Sequence, residues 1–502
     1  MVNVAGKSKG CGTCKKRRIK CDERKPSCQR CEKSGYVCAG YEKRIHFINK
    51  STAKFQDAQD EPSSTILINN APVKVVPRMR TVAVPQELSL AAFRNDVCIS
   101  FLMHNFVWRT YGKGWLEPAA GKLDDLSNQS IRALSALFFG ISHKQEDIQM
   151  VGALRYGKAL GLLRPALSDP RKPGVEKLII PILLMLMHAS YEEDTGAAVA
   201  HVKGLMMLLQ VAGPYKFQHQ PLRSAFESAR STLVTTFCIA RQPLFLQAEE
   251  WKAIPWVLDP ASKSQQNYLV DILVDIPGFL HDDAKLMEHD DPEARDSLLS
   301  RVKGNLYALH HWRFTWELLN PSAVYETMPP PAEAQRRVIP RKLNFRSHTQ
   351  AAEIILYNAT HMCLLALLIR LEDPSAVTET ILTTAATAAF DSGFPPETPR
   401  TTLQLPDDVR TPHEPAIEIC RAFEYQVSEA GRIQESNLFF LFPLGLAWPV
   451  LEDEKEYQEW IKEMLSTSPI TSGYAVGRNQ WFGKYFMPKV MARRGRAADA
   501  VF

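Results

Sequence analysis

Six cysteines crowd the first forty residues of this 502-residue chain: Cys11, Cys14, Cys21, Cys28, Cys31 and Cys38. Their spacing is C-x2-C-x6-C-x6-C-x2-C-x6-C, two copies of one Cys-x2-Cys-x6-Cys unit joined by a short loop that contains Pro26. Thiolates so spaced are zinc ligands, and a zinc ion takes four ligands in a tetrahedron. Two ions need eight ligand positions, so six sulfurs suffice only if two of them bridge. The symmetry of the repeat makes the first cysteine of each copy, Cys11 and Cys28, the natural bridge. One ion would then hold Cys11, Cys14, Cys21 and Cys28, and the other Cys28, Cys31, Cys38 and Cys11. A disulfide framework fits less well, because no secretory signal precedes the motif and the N-terminus is basic and polar. An iron–sulfur cluster or a single zinc site uses four cysteines rather than two matched triplets.

Between Cys14 and Cys21 lie Lys15, Lys16, Arg17, Arg18 and Lys20, with Ile19 the only apolar residue. Held by metal ligands at both ends, this run is expected to form a short helical turn with its charges outward. Arginine and lysine donate to guanine O6 and N7 in the major groove and to phosphates. A charge run of this kind is otherwise a solvated face. Residues 1–50 carry 14 Lys and Arg against 4 Asp and Glu, whereas the whole chain has a formal charge of only +5, so the remainder is net acidic. A basic head on a mildly acidic body suits a polyanion as partner of the head alone. Lys9 lies in a small polar arm expected to reach the phosphate backbone, and Lys43 and Arg44 in a second basic patch that either follows the phosphates or is an ordinary solvated linker.

The stretch Cys11-Gly-Thr-Cys-Lys-Lys-Arg-Arg-Ile-Lys-Cys21, continuing through Cys28-Gln-Arg-Cys31 to Cys38-Ala-Gly-Tyr41, resembles the Zn2Cys6 binuclear cluster of fungal transcription regulators. The resemblance implies two Zn2+ ions as cofactors and double-stranded DNA as partner. It also implies the transcription machinery or co-regulators as further partners, and the nucleus as location. The family reads bases from two positions near the end of the first short helix, which match Arg17 and Arg18, and a CGG-like half-site is implied. The expected DNA-binding set is therefore Lys9, Lys15, Lys16, Arg17, Arg18, Lys20, Lys43 and Arg44.

The elements that follow read as mainly α. Helical patterns cover 88–109, 130–145, 147–164, 176–190, 195–213, 222–240, 297–320, 350–371, 375–390, 415–435 and 453–465, and no sustained period-2 alternation appears. Thr195 is placed to cap the fifth of these, and Ser297 the seventh. The division expected is a Zn2Cys6 DNA-binding domain over 1–45, a largely disordered linker over 46–87, and an all-α regulatory domain over 88–502 with loops near 328–347 and 391–415. The pieces 66–68 and 73–76 could pair as a short hairpin. The body resembles the helical fungal-specific transcription factor domain in Tyr156-Gly-Lys-Ala-Leu-Gly-Leu-Leu163 and in His201-Val-Lys-Gly-Leu-Met-Met-Leu-Leu209 followed by Gly213. The most apolar run, Leu178–Met187, is too short for a membrane span, and no membrane partner is expected.

No phosphate-binding loop, dinucleotide fingerprint, nucleophile elbow or zincin motif occurs, so no enzyme is expected. His281-Asp282-Asp283 and His289-Asp290-Asp291 offer imidazoles and carboxylates, but in a polar stretch before a helix, where acidic residues belong anyway. Cys98, Cys238, Cys363 and Cys420 read as reduced core residues, and of His310 and His311 one belongs to the core. Met185, Met187, Met206, Met207 and Met362 either fill the core or line a ligand cavity, which leaves a ligand-sensing regulator as one alternative. A DNA-independent zinc protein acting through protein contacts is the other. The acidic stretch Glu452–Met464 suits an activation segment or, more simply, an amphipathic surface helix. Four prolines over 50–86 and no heptad repeat leave no coiled coil evident after the zinc module. Residues 1–60 alone are accordingly expected to sediment as a monomer on DNA, with any dimer requiring residues beyond 88. Ultracentrifugation of the two lengths, with a series of half-site spacings, checks this, and a cooperative dimer from residues 1–60 would contradict it.

Overall fold

The computed structural model describes residues 10–40, 93–105, 115, 124–168, 174, 176–192, 195–328, 330, 337–395, 402–429 and 441–467. Lys9, Lys43 and Arg44, the proline-bearing stretch 50–86 and the proposed hairpin at 66–76 lie outside them. The chain divides into two units, Met1–Val84 and Pro85–Phe502.

In the first unit two five-residue helices, α1 (Gly12–Lys16) and α2 (Gln29–Lys33), stand at equivalent places in the two copies of the repeat. Each starts at a cysteine whose sulfur accepts the N–H three residues on: Cys14 N–H to Cys11 Sγ at 3.3 Å, and Cys31 N–H to Cys28 Sγ at 3.4 Å. Sulfur takes the place here that a serine or aspartate side chain takes at an ordinary N-cap.

The second unit is a helical body. Its helices are α3 (Arg94–Asn105), α4 (Asp125–Ser142), α5 (Glu146–Ser168), α6 (Glu176–Glu192), α7 (Thr195–Ala212), α8 (Leu222–Ala240), α9 (Glu249–Ala253), α10 (Gln265–Leu273), α11 (Ile276–Glu288) and α12 (Pro292–Leu319), then α13 (His348–Leu371), α14 (Val377–Ser392), α15 (His413–Glu429), α16 (Leu441–Val450) and α17 (Lys455–Thr467). One continuous hydrophobic cluster runs from Leu102 to Ile461, with two small satellites. Its axis is α13, opened by a reciprocal capping box in which Gln350 N–H donates to Ser347 Oγ (3.2 Å) and Ser347 N–H to Gln350 Oε1 (3.1 Å). This helix packs on α10, α12, α15 and α16. It is the one helix among the described residues long and apolar enough to cross a bilayer, yet 83% of its apolar window is buried in the body. Its apolar surface is consumed by neighbouring helices.

Four expectations change. Helix α12 starts at Pro292 with Asp291 as its cap (Ala294 N–H to Asp291 Oδ1, 3.2 Å), not at Ser297, and Thr195 is the first residue of α7 rather than a cap ahead of it. The predicted loop 328–347 ends in a strand. Residues Val324–Thr327 (β1) and Lys342–Phe345 (β2) pair antiparallel, with Val324 opposite Phe345. Four residues per strand are too few for alternation to register, although Leu343 and Phe345 are buried and their neighbours less so. His281-Asp282-Asp283, read as part of a polar stretch, belong to α11, whose buried face carries Phe279, Leu280 and Leu286. The acidic stretch forms α17, with Ile461 fully buried and Trp460 partly so.

Two imidazoles meet inside this core. His310 on α12 and His361 on α13 are both fully buried, with their Nε2 atoms 3.3 Å apart, and the Tyr357 hydroxyl lies 3.4 Å from His361 Nδ1. Burial drives His361 from its ordinary 6.5 to about 3, and burial together with the neighbouring ring drives His310 well below it. Both folded values lie beneath the unfolded one, so this contribution to stability is complete above pH 6.5 and is lost as pH falls toward 3. Glu353, pushed up by burial to about 7, acts in the opposite sense between pH 4.5 and 7. Replacing His361 by asparagine should make the fall of stability between pH 6 and pH 4 shallower by close to one proton, about 1.4 kcal/mol per pH unit. Chemical denaturation across that range measures it, and an unchanged slope would mean that the imidazole does not remain neutral in the fold.

Candidate metal centre and basic turn

The six cysteines converge. The sulfurs of Cys11, Cys14, Cys21 and Cys28 all lie within 4.8 Å of one another, and so do those of Cys11, Cys28, Cys31 and Cys38. The two sets share the pair named from the repeat, Cys11 and Cys28, whose sulfurs are 3.5 Å apart. Cys14 Sγ stands 3.6 Å from Cys28 Sγ in the first set, and Cys31 Sγ 3.8 Å from Cys11 Sγ in the second. Two thiolates at about 2.3 Å from one tetrahedral zinc stand about 3.8 Å apart, so the donor set fits two zinc ions with two shared sulfurs. Cys11, Cys14, Cys28 and Cys31 are buried, while Cys21 and Cys38 are partly exposed.

As thiols Cys14 and Cys28 hold their protons. Burial pushes Cys14 up to about 12 and Cys28 higher still. Cys38 falls below the ordinary thiol range, because the N–H groups of Cys28 and Gly40 donate to it. A cation that takes the set must therefore release protons, and its affinity must fall with pH.

The backbone around the sulfurs repeats as the cysteines do. Cys11 N–H donates to Cys21 Sγ at 3.4 Å, and Cys28 N–H to Cys38 Sγ at 3.3 Å. Contacts that the spacing did not reveal tie the halves together. Asp22 receives the N–H groups of Gln29 (2.9 Å) and Arg30 (3.2 Å) at the start of α2; desolvation opposes its ionisation, but these bonds prevail and hold its carboxyl below the usual range. Thr13 Oγ1 donates to the Val37 carbonyl (3.0 Å) and accepts from Ala39 N–H (2.9 Å), while Gly12 N–H donates to the Gly40 carbonyl (2.9 Å). The only advance signal for these residues was their position beside the cysteines.

The basic run is less helical than expected. Helix α1 ends at Lys16, Arg17 is its C-cap, and Arg18 has φ +55°. Only Lys15 and Lys16 sit on the helix, because Ile19 turns back to pack against the cysteines and the chain must reverse to bring it there. Gly35, which holds the equivalent place in the second copy, has φ +69°. The fold thus asks for a left-handed residue at both sites, and only the second copy supplies glycine. Lys15, Lys16, Arg18 and Lys20 are exposed; Arg17 is half-buried, its guanidinium carbon 3.9 Å from the centre of the Tyr36 ring.

No second constellation of this kind exists in the body among the described residues, where the only sets of three or more His, Cys, Asp or Glu converging on one point are the two cysteine sets. His281 Nδ1 lies 3.2 Å from the Arg241 carbonyl, Asp282 pairs with Arg301, buried Asp283 with Arg370 and Asp290 with Arg295, while Asp291 is a cap. These side chains are dispersed among separate partners. Cys98, Cys238, Cys363 and Cys420 are buried, and burial raises all four thiols, Cys363 to about 12. Met185 and Met362 are core residues, whereas Met207 is 61% exposed.

Known proteins match at this module. Residues 9–46 match the fungal Zn(2)-Cys(6) binuclear cluster domain. An uncharacterized transcriptional regulatory protein of Schizosaccharomyces pombe is 49% identical over 63 residues, 12% of this chain and 11% of its own length. The white-opaque regulator 2 of Candida albicans is 67% identical over 33 residues, 7% of each chain. The arginine metabolism regulation protein II of Saccharomyces cerevisiae is 53% identical over 38 residues, 8% of this chain and 4% of its own. The chain thus covers about a tenth or less of the length of these relatives, and no solved structure matches it significantly. The N-terminal module is a fungal Zn2Cys6 binuclear cluster domain, a domain that binds two zinc ions, and its six cysteines lie together as two sets of four that share a pair.

Because Cys11 and Cys28 belong to both ligand sets, removing either should empty both sites, whereas Cys14→Ala should damage one. Elemental analysis of the full-length chain should give two zinc for wild type, close to none for Cys11→Ala or Cys28→Ala, and an intermediate value for Cys14→Ala. Equal losses in all three variants would contradict shared sulfurs.

Proposed function

We propose that the chain is a nuclear, sequence-specific DNA-binding regulator of RNA polymerase II transcription, with Arg17 and Arg18 reading a CGG-like site in the major groove. Lys15, Lys16 and Lys20 hold phosphates, joined by Lys9, Lys43 and Arg44. Residues 88–502 act as the regulatory domain, of the fungal-specific transcription factor type, which meets co-regulators; residues 46–87 serve as the tether. Zinc supplies the charge that holds six thiolates together, and the protein residues do the reading. A metabolic gene set is the natural target class, given a relative named for arginine metabolism.

The observation that carries this reading is Arg18. A non-glycine residue at positive φ costs about 1–2 kcal/mol, and the second copy avoids that cost with Gly35. That an exposed arginine stands where glycine would serve the fold supports a role for its side chain in binding. Its planar fork matches guanine O6 and N7 together, which a lysine does not.

Arg18→Gly should therefore keep two zinc ions and equal or higher stability while losing site preference. Arg18→Ala should lose about 1–3 kcal/mol on the preferred duplex. Lys15→Ala or Lys20→Ala should weaken all duplexes alike and reduce the salt slope by about one. Selection from a random duplex library, with affinities over a salt series, is the measurement. Zinc-replete protein without salt-dependent duplex binding would favour the DNA-independent reading, and an unchanged profile in Arg18→Gly would move base reading elsewhere.

A further inference from the structure

We propose that Tyr36, which belongs to neither the metal set nor the basic run, is a positioning residue for DNA readout that presets the Arg17 fork before DNA arrives. This rests on the reading of Arg17 as a base contact. The Arg17 guanidinium carbon lies 3.9 Å from the Tyr36 ring centre, well inside the ~6 Å at which a cation and an aromatic face attract. Arg17 Nη1 is buried without a hydrogen-bond partner, which leaves the Nε and Nη2 edge of the fork for an acceptor pair.

The arrangement follows from the backbone. Thr13 and Arg17 are four residues apart and so share a face of the turn. Thr13 is bonded at Val37 and Ala39, and Gly12 at Gly40, which lays the Tyr36–Gly40 segment along that face and sets the ring under Arg17. Gly35, with φ +69°, turns the chain immediately before the ring, and Tyr36 N–H closes the turn on the Cys31 carbonyl at 3.0 Å. Tyr36 is 54% exposed, so its ring is spent on the arginine rather than on a core.

A free arginine loses rotamer freedom when it binds, and the loss is common to right and wrong bases. A preset fork also fixes where the acceptor pair must lie, which penalises bases that do not offer one there. Arg18, exposed and with no aromatic contact, has no such constraint, so the two adjacent arginines divide into a preset reader and an adaptable one.

The test is a double-mutant cycle in the full-length, zinc-loaded chain, reading the ratio of affinities for the selected duplex and for single-base variants under Arg17. Tyr36→Ala should lower that ratio about 3- to 10-fold with two zinc ions retained. Tyr36→Phe, which keeps the π face, should match wild type, and Tyr36→Ala should have no further effect in an Arg17→Ala background. If Tyr36→Ala sheds zinc, Tyr36→Leu fills the volume without a π face and should give the same loss. Equal losses with and without Arg17, or Tyr36→Phe behaving as Tyr36→Ala, would overturn the preset fork. A ratio unchanged by Tyr36→Ala but lowered by Arg17→Ala would remove the role of Tyr36 and leave Arg17 as a reader. A ratio unchanged by Arg17→Ala would remove the base contact itself, and with it the role of Tyr36.

Discussion

Two sulfurs, Cys11 and Cys28, belong to both halves of a binuclear ligand set, and the geometry of the N-terminal module depends on that sharing. The interior of the module is the cysteines themselves, with Ile19 packed against them. A chain segment of this size cannot bury enough apolar surface to fold on that basis, and metal–thiolate bonds take the place of a core. They do so at the cost of concentrating negative charge. Of the cations between Cys14 and Cys21, Lys15, Lys16, Arg18 and Lys20 are exposed to solvent. The left-handed Arg18 and the stacked Arg17 are local conformations that a metal-fixed loop can hold and a free peptide would not.

The body follows a different physics. It is built on α13, whose apolar surface is covered by neighbouring helices, and inside it lie a neutral histidine pair and a carboxyl, Glu353, that receives the Trp316 indole N–H at 2.8 Å. Buried polar groups of this kind need their partners. The motifs read as family signatures in the sequence, around Tyr156 and His201, meet in space: the Tyr156 hydroxyl lies 2.7 Å from His201 Nε2, joining α5 to α7.

Much of this was legible beforehand. The repeat arithmetic grouped the same sulfurs that converge in space, with Cys11 and Cys28 in both groups, because tetrahedral coordination leaves few ways to share six sulfurs between two metals. Helix α8 was read at its observed bounds, Leu222–Ala240, since it carries a clean 3.6-residue stripe between Pro221 and Arg241. The ribbon β1–β2 was missed because its alternation is four residues long, and α11 because His281, Asp282 and Asp283 mask a stripe of Phe279, Leu280 and Leu286. At the site, the left-handed Arg18, the Asp22 bonds and the Tyr36 contact were invisible. Each depends on where the metal ligands bring distant backbone, which residue spacing alone does not specify.

The most direct test of the central claim is the zinc K-edge absorption spectrum of the full-length chain. Shared sulfurs predict an all-sulfur first shell of four ligands at about 2.3 Å around every zinc, together with a metal–metal shell from the second ion. Nitrogen or oxygen ligands in the first shell, or a spectrum without a neighbouring metal, would contradict it.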